Sequence, residues 1–209
     1  VAAATSLASC DATMTEETRR GLVDVVRREG ERLDRYVQNL LDMTRLGAGP
    51  IKLRRDWVGL AEILDSALSG LRKLFPRLAV NVDMEPHLPA LFVHGALIEQ
   101  ALFNILENAA RFSPPGAAVS VTARRDGGQT LVLDIQDRGP GIAEEERRRL
   151  FGKAQGRADG ARSTGLGLTI VRGMIGAHGG RVEAFAGEAG VGTTIRVTLP
   201  LAEHEAAKT

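Results

Sequence analysis

The sequence predicts an α+β protein: a layered domain with helices on one face of a largely antiparallel sheet, preceded by a helical segment of a different unit. Three observations carry this. Beyond residue 50 the hydrophobic period switches repeatedly between 2 and 3.6, so strands and helices interleave. Before residue 47 the sustained pattern is helical, and Gly47, Gly49 and Pro50 stop it. The length, 209 residues, exceeds one typical domain and falls short of two large ones, which fits a medium domain with a smaller appendage.

Composition narrows the function classes. Lys+Arg total 27 against 26 Asp+Glu, with 44% hydrophobic and 25% charged residues, so the chain is neither disordered nor broadly basic. A net charge of +1 gives no electrostatic reason to expect nucleic acid or anionic lipid as a partner. No apolar run reaches 18 residues, so no insertion of this segment into a bilayer is expected. Cys10 is the lone cysteine, which excludes an internal disulfide and a multi-cysteine zinc site. The chain opens on Val1 with no leader pattern, and an excised piece of a longer protein is expected.

The elements follow in order. Residues 1–10 are small and weakly apolar, as at the end of a packed helix, and 11–14 read as a turn. Thr15 can cap a second helix, with Glu16 and Glu17 in its first turn. Val26, Leu33 and Leu40, and Leu22, Tyr36 and Met43, repeat at seven-residue spacing and form a coiled-coil-like seam, which Glu29 and Gly30 weaken. The expected organisation is residues 1–49, 50–201 and a frayed tail over 202–209.

Within the larger unit, 51–57 look extended, 60–74 helical, and 78–84 alternate as a half-buried strand. A short strand at 91–93 precedes a long helix over 96–112, ended by Ser113-Pro114-Pro115-Gly116. Strands over 119–125 and 130–137 flank Asp126-Gly127-Gly128, a hairpin signal. A charged helical turn, EEERRR, leads to a flexible stretch over 152–164, a helix over 165–178 and closing strands over 181–186 and 193–199.

Four separated clusters could converge on one nucleotide. In NILENAAR, Asn104, Glu107, Asn108 and Arg111 fall at i, i+3, i+4 and i+7, a polar stripe on an otherwise apolar helix. The amide oxygen of Asn108 is a hard neutral ligand suited to Mg²⁺, and Arg111 presents a phosphate-matching fork. Taken alone, the stripe equally describes a solvated helix edge. Asp137-Arg138-Gly139-Pro140-Gly141 ends a strand with a carboxylate able to accept from the amino group of adenine; alone it is a common turn. Thr164-Gly165-Leu166-Gly167-Leu168 opens a helix whose N–H groups favour phosphate. Gly190-Val191-Gly192-Thr193-Thr194 alone reads as a hairpin turn into a strand.

In this order and at these separations the clusters resemble the N, G1, G2 and G3 boxes of the ATP-binding catalytic domain of sensor histidine kinases, within the superfamily that includes gyrase, Hsp90 and MutL. The resemblance covers residues 51–200. LLDMTRLGAGPIKLRRDW, followed by LAEILDSAL, is most similar to the potassium-sensor kinases of the KdpD kind. It implies a two-layer α/β sandwich that binds ATP and Mg²⁺, preceded by part of a helical dimerisation hairpin. It further implies that Asn108 coordinates Mg²⁺, that Asp137 reads adenine, and that Arg111 takes the role of the usual phosphate-contacting Lys. Gly139, Gly141, Gly165, Gly167 and Gly192 would shape the pocket, with Thr164, Leu166, Leu168 and Thr193 beside them. Phe112 stands where Tyr is common and loses its hydroxyl. Leu150-Phe151 resembles the start of the F box, but Ala154 replaces its second Phe and Gly156-Arg157 departs from the usual order.

Asn104 distinguishes enzyme classes. Hydrolysing relatives place Glu at the matching position to deprotonate water, which Asn cannot do near neutral pH. Transfer to a histidine needs an in-line nucleophile and charge stabilisation more than a strong base. Glu107 could polarise the incoming imidazole or pair with Arg111. The family's acceptor motif, a His followed by an acidic residue, Arg and Thr-Pro, does not occur here. His87 suits a loop, His94 a turn or cap, His178 a helix end where a cation would favour the dipole, and His204 the tail.

The expectation is therefore the kinase core of a sensor. It would donate the γ-phosphoryl group to a histidine upstream for relay to a response regulator, and it would dimerise through its helical segment. Its place would be cytoplasmic, in a parent anchored in the inner membrane. A nucleotide-binding regulatory module without transfer activity is the alternative, and Asn104 disfavours a hydrolysing ATPase.

Overall fold

A computed structural model describes residues 18–23, 26, 30, 54–151 and 165–202. The chain divides into two units, 1–49 and 50–209. Residues 18–23, 26 and 30 of the first unit are helical, and Val23 and Val26 expose their side chains. The expectations for residues 1–17, for most of the seam to Met43, for Ala154, Gly156 and Arg157, and for the tail from 203 lie outside the described residues.

The second unit is built on a five-stranded mixed sheet. Its strands are β2 (Val80–Met84), β4 (Val119–Asp126), β5 (Thr130–Gln136), β6 (Arg181–Ala186) and β7 (Thr193–Pro200), in the order β2-β4-β5-β7-β6. Only β2 runs parallel to its neighbour, β4; the other pairs are antiparallel. Chain geometry explains the exception, because a helix crosses between β2 and β4, whereas β4 and β5 are joined by a tight hairpin. A separate two-stranded ribbon pairs β1 (Asp56–Val58) with β3 (Leu91–Val93), placing Trp57 opposite Phe92.

Alternation on the strands sends Val119, Val121 and Ala123, Leu131, Leu133 and Ile135, and Ile195, Val197 and Leu199 to the buried face. The opposite face is largely polar with Val132 and Phe185 among its apolar members, and there Asp134 and Arg196 form two bonds of 2.7 Å across β5 and β7.

Helices α1 (Leu60–Leu74), α2 (Gly95–Phe112) and α4 (Gly165–Gly176) cover the buried face, with the short α3 (Glu144–Phe151) beside α4. Leu60, Ile63, Leu64, Ala67, Leu68 and Leu71 recur at three- and four-residue intervals and are all buried, which makes α1 amphipathic. It stops before Pro76, and α2 stops before Pro114, where ring sterics forbid helical continuation. Ile98, Leu102, Ile105 and Leu106 are buried where α2 packs among the sheet, α1 and α4. Helix α4 ends two residues before the expected His178. Gly179 turns left-handed at φ 75°, and the Gly180 N–H reaches back to the Ile175 carbonyl at 3.0 Å.

Candidate functional site

The C-terminal half of α2, the paired ends of β5 and β7, the loop before α3 and the first turn of α4 surround a cleft of about 200 Å³. Ile105, Asn108, Ala109 and Phe112 line it from α2, and Leu168 from α4. Ile135, Ile195, Thr193 and Asp137 form its base, with Pro140, Gly141, Ile142 and Glu146 at the remaining side.

Asp137 follows β5 directly, and its N–H bonds the Thr193 carbonyl at 2.9 Å. Its side chain is 8% exposed. The Gly139 N–H donates to Oδ1 at 2.8 Å and the Thr193 N–H to the same oxygen at 3.1 Å. Among the described residues no donor reaches Oδ2, so one oxygen is committed to the loop and one remains an acceptor in the cleft. Burial raises the carboxyl pKa above its ordinary 3.8, and the two N–H bonds oppose part of that rise.

Glycines let the backbone close around this carboxylate. A Cβ on Gly139 would lie 2.6 Å from the Phe112 carbonyl oxygen. Gly192, at φ 75°, faces the Asp137 carbonyl so closely that any Cβ would overlap it. Gly141 approaches the Gly192 carbonyl, and the Arg147 guanidinium donates to the Ile142 carbonyl at 2.8 Å, holding the loop.

The structure divides the polar stripe of α2. Asn108 faces the cleft and makes no hydrogen bond among the described residues; a Cβ on Gly167 would stand 3.9 Å from its Nδ2. Asn104, one turn earlier, is 9% exposed and is not part of the cleft lining. Its Oδ1 accepts from Gln100 Nε2 at 3.3 Å, while Nδ2 is buried without a partner among the described residues. Glu107 and Arg111 lie outside the lining and pair at 3.0 Å. Phe112 lines the cleft with its ring 45% exposed. Gly165 and Leu166 open α4, and Thr164 lies outside the described residues.

Sequence reasoning missed the apolar walls and Glu146. Ile135 and Ile195 are cross-strand partners, and strand alternation marked them as core without indicating that their edge borders a cleft. Glu146 sits in a charge run that gave no signal.

The dipole expectation for His178 is corrected. It is 4% exposed, its Nδ1 faces the Met174 carbonyl at 2.8 Å, and its Nε2 accepts the His94 N–H at 3.0 Å. That requires the neutral ring, and burial lowers its pKa below 6.5. The cation at this helix end is Arg55, whose Nη2 donates to the Ala177 carbonyl at 2.9 Å. His94 occupies the N-cap position of α2, but its side chain makes no capping bond. His87 adopts φ 60° in a turn.

A purine nucleotide fits this donor set. The base would meet an apolar slot with one free carboxylate oxygen, and the phosphates would meet Asn108 and the start of α4. Among the described residues no three His, Cys, Asp or Glu side chains cluster as a metal site. A cation here would draw on one carboxamide, water and phosphate oxygens, the coordination Mg²⁺ favours.

Residues 94–203 match the family of histidine kinase-, DNA gyrase B- and HSP90-like ATPases. The chain is 38% identical over 170 residues to the sensor protein KdpD of Escherichia coli, covering 79% of this chain and 18% of that protein. It is 35% identical over 176 residues to the histidine-protein kinase/phosphatase MprB of Mycolicibacterium paratuberculosis, covering 81% of this chain and 33% of that one. Full-length ShkA, solved in complex with AMPPNP, superposes with a TM-score of 0.68 at 30% identity, covering 91% of this chain and 40% of ShkA. Acinetobacter baumannii AdeS, at 20% identity and TM-score 0.70 over 97% of this chain and 93% of that one, shares the fold. The chain thus spans about a fifth to a third of these curated relatives. It belongs to the histidine kinase-, DNA gyrase B- and HSP90-like ATPase family, as the ATP-binding catalytic region of a sensor histidine kinase.

Proposed function

We propose that the chain binds Mg·ATP in this cleft and donates the γ-phosphoryl group to a histidine outside it, for relay to a response regulator. The observation that carries the reading is Asp137, a buried carboxylate with Oδ1 satisfied by backbone and Oδ2 free in an apolar slot. That oxygen accepts from the exocyclic amino group of adenine, and guanine, with a carbonyl there, meets repulsion.

Asn108 would hold Mg²⁺, which neutralises phosphate charge when bound. Gly167 leaves room beside it, and the N–H groups opening α4 receive phosphate oxygens. Asn104 cannot deprotonate water, so the γ-phosphoryl group is protected from hydrolysis until an imidazole nitrogen attacks in line, forming the P–N bond as the bond to the β-phosphate oxygen breaks and ADP departs. Arg111, paired with Glu107 at 3.0 Å beyond the cleft lining, would meet phosphate only at the rim.

We place the acceptor in a helical hairpin of which residues 1–49 are part, dimeric through the seam of Leu22, Val26 and their heptad mates. On the likeness to KdpD, we read the parent as a membrane-anchored potassium sensor with this region in the cytoplasm. The test mixes the chain, labelled ATP and a separately supplied dimerisation hairpin containing the acceptor histidine. Acid-labile label on the hairpin is expected. Normal Mg·ATP binding without transfer would overturn the kinase reading in favour of a regulatory module, and rapid phosphate release would restore the hydrolase.

A further inference from the structure

We infer that Arg55 and His178 form a clasp that positions α4 against α2, and so sets nucleotide affinity at the far end of both helices. The inference rests on the cleft being the nucleotide site.

The last carbonyls of a helix need donors from outside its own ladder. At the end of α4 local backbone satisfies three carbonyls: Ala177 N–H reaches Gly173, His178 and Gly180 N–H share Ile175, and Gly179 N–H reaches Gly176, leaving Met174 and Ala177 to side chains. Side chains supply the rest. His178 Nδ1–H takes Met174, and Arg55 takes Ala177 from 122 positions earlier in the chain. The His94 N–H at the start of α2 donates to Nε2, so Nε2 carries no proton and the proton sits on Nδ1. A buried imidazole thus joins the C-terminus of α4 to the N-terminus of α2.

The two helices run antiparallel. Their opposite ends bring Gly167 beside Asn108, where the phosphates would lie. A helix of 12 residues spans roughly 18 Å. Tilt or slip at the clasp therefore changes the Gly167–Asn108 spacing, since a packed helix moves as a rigid element. Arg55 also places positive charge on the negative end of α4. It stands just inside the boundary at Pro50, so the chain entering this unit is tied directly to the helix that opens the phosphate site. The charged or titratable groups acting on His178 are Arg55 and His94.

The experiment compares wild type, Arg55→Ala and Arg55→Lys by Mg·ATP titration calorimetry, thermal melting and amide NMR of the ligand-free chain. Arg55 is exposed, so its removal uncovers no core. Arg55→Ala is expected to weaken Mg·ATP binding about two- to thirtyfold and to shift the Gly167 and Leu168 amide signals. Arg55→Lys, which can still donate to the Ala177 carbonyl, is expected to recover most of the affinity. Unchanged affinity in Arg55→Ala overturns the inference. So does an affinity loss matched in both variants by a falling melting temperature, because general loosening needs no clasp. If wild type itself fails to bind Mg·ATP, the nucleotide reading falls, and the ligand-free spectra then decide the clasp alone. Shifts reaching Gly167 support it, and shifts confined to residues 54–56 and 174–180 overturn it.

Discussion

The α-carbon of Gly192 lies directly against the carbonyl of Asp137, with no space for a Cβ between them. This contact brings β7 up to the end of β5 and lets the Thr193 N–H reach the Asp137 carboxylate. Gly192→Ala would combine a left-handed backbone with a collision against main chain. The backbone term alone costs about 1–3 kcal/mol, so the urea midpoint should fall clearly. A midpoint unchanged from wild type would mean that the two strands can separate freely here.

Asp137→Asn separates binding from stability. The amide can still accept from Gly139 and Thr193, but it presents a donor where the base needs an acceptor. Mg·ATP affinity should fall about ten- to hundredfold, the value of a hydrogen bond to a charged group. The ligand-free domain should gain stability relative to wild type as pH rises. The folded pKa of Asp137 is raised, so above 3.8 the unfolded chain releases the proton first and the wild-type fold weakens through that window. Urea melts of both proteins between pH 4 and 7 would measure the divergence; parallel curves would contradict it.

Asn108→Ala removes the carboxamide that lines the cleft among the described residues. Loss of a direct ligand should weaken Mg-dependent ATP binding at least about tenfold, since even second-layer partners of a metal matter that much. Titration with and without Mg²⁺ tests this. Equal affinity for Mg·ATP in variant and wild type would remove Asn108 from the site.

His178 predicts the opposite pH response to Asp137. Its folded pKa is lowered, so as pH falls below about 6.5 the unfolded chain takes up a proton that the folded ring refuses. The stability it contributes is complete above that pH and is lost as pH falls toward the folded pKa. His178→Gln keeps an acceptor for the His94 N–H without titrating, and should flatten the melting temperature between pH 7 and 5 relative to wild type. An identical slope in both proteins would assign the acid loss to other groups.

Asp134 and Arg196 offer a test on the solvent face of the sheet. Their paired 2.7 Å bonds are well formed, but Arg196 is a third exposed, so solvent screens them. A double-mutant cycle with Asp134→Ala and Arg196→Ala should give a coupling of about 1 kcal/mol, shrinking in high salt. Nucleotide affinity should not change, because the pair lies on the face away from the cleft.

Local chemistry makes the elements of this protein readable from its sequence. The apolar period of α1 and α2, the prolines that end them, the Asp126-Gly127-Gly128 hairpin and the alternation of β4, β5 and β7 all depend on neighbours within a few residues, and a sequence displays those directly. The four clusters were legible for the same reason, as was their order along the chain. Partnerships across long separations were not. That β1 leaves the main sheet to pair with β3, that Asn104 turns inward while Asn108 faces the cleft, and that Arg55 rather than His178 supplies the cation at the end of α4 follow from which surfaces meet once the helices pack. Periodicity tells a residue which face it occupies; only the packed sheet and helices decide what stands opposite, and burial there raises the pKa of the Asp137 carboxyl and lowers that of the His178 imidazole.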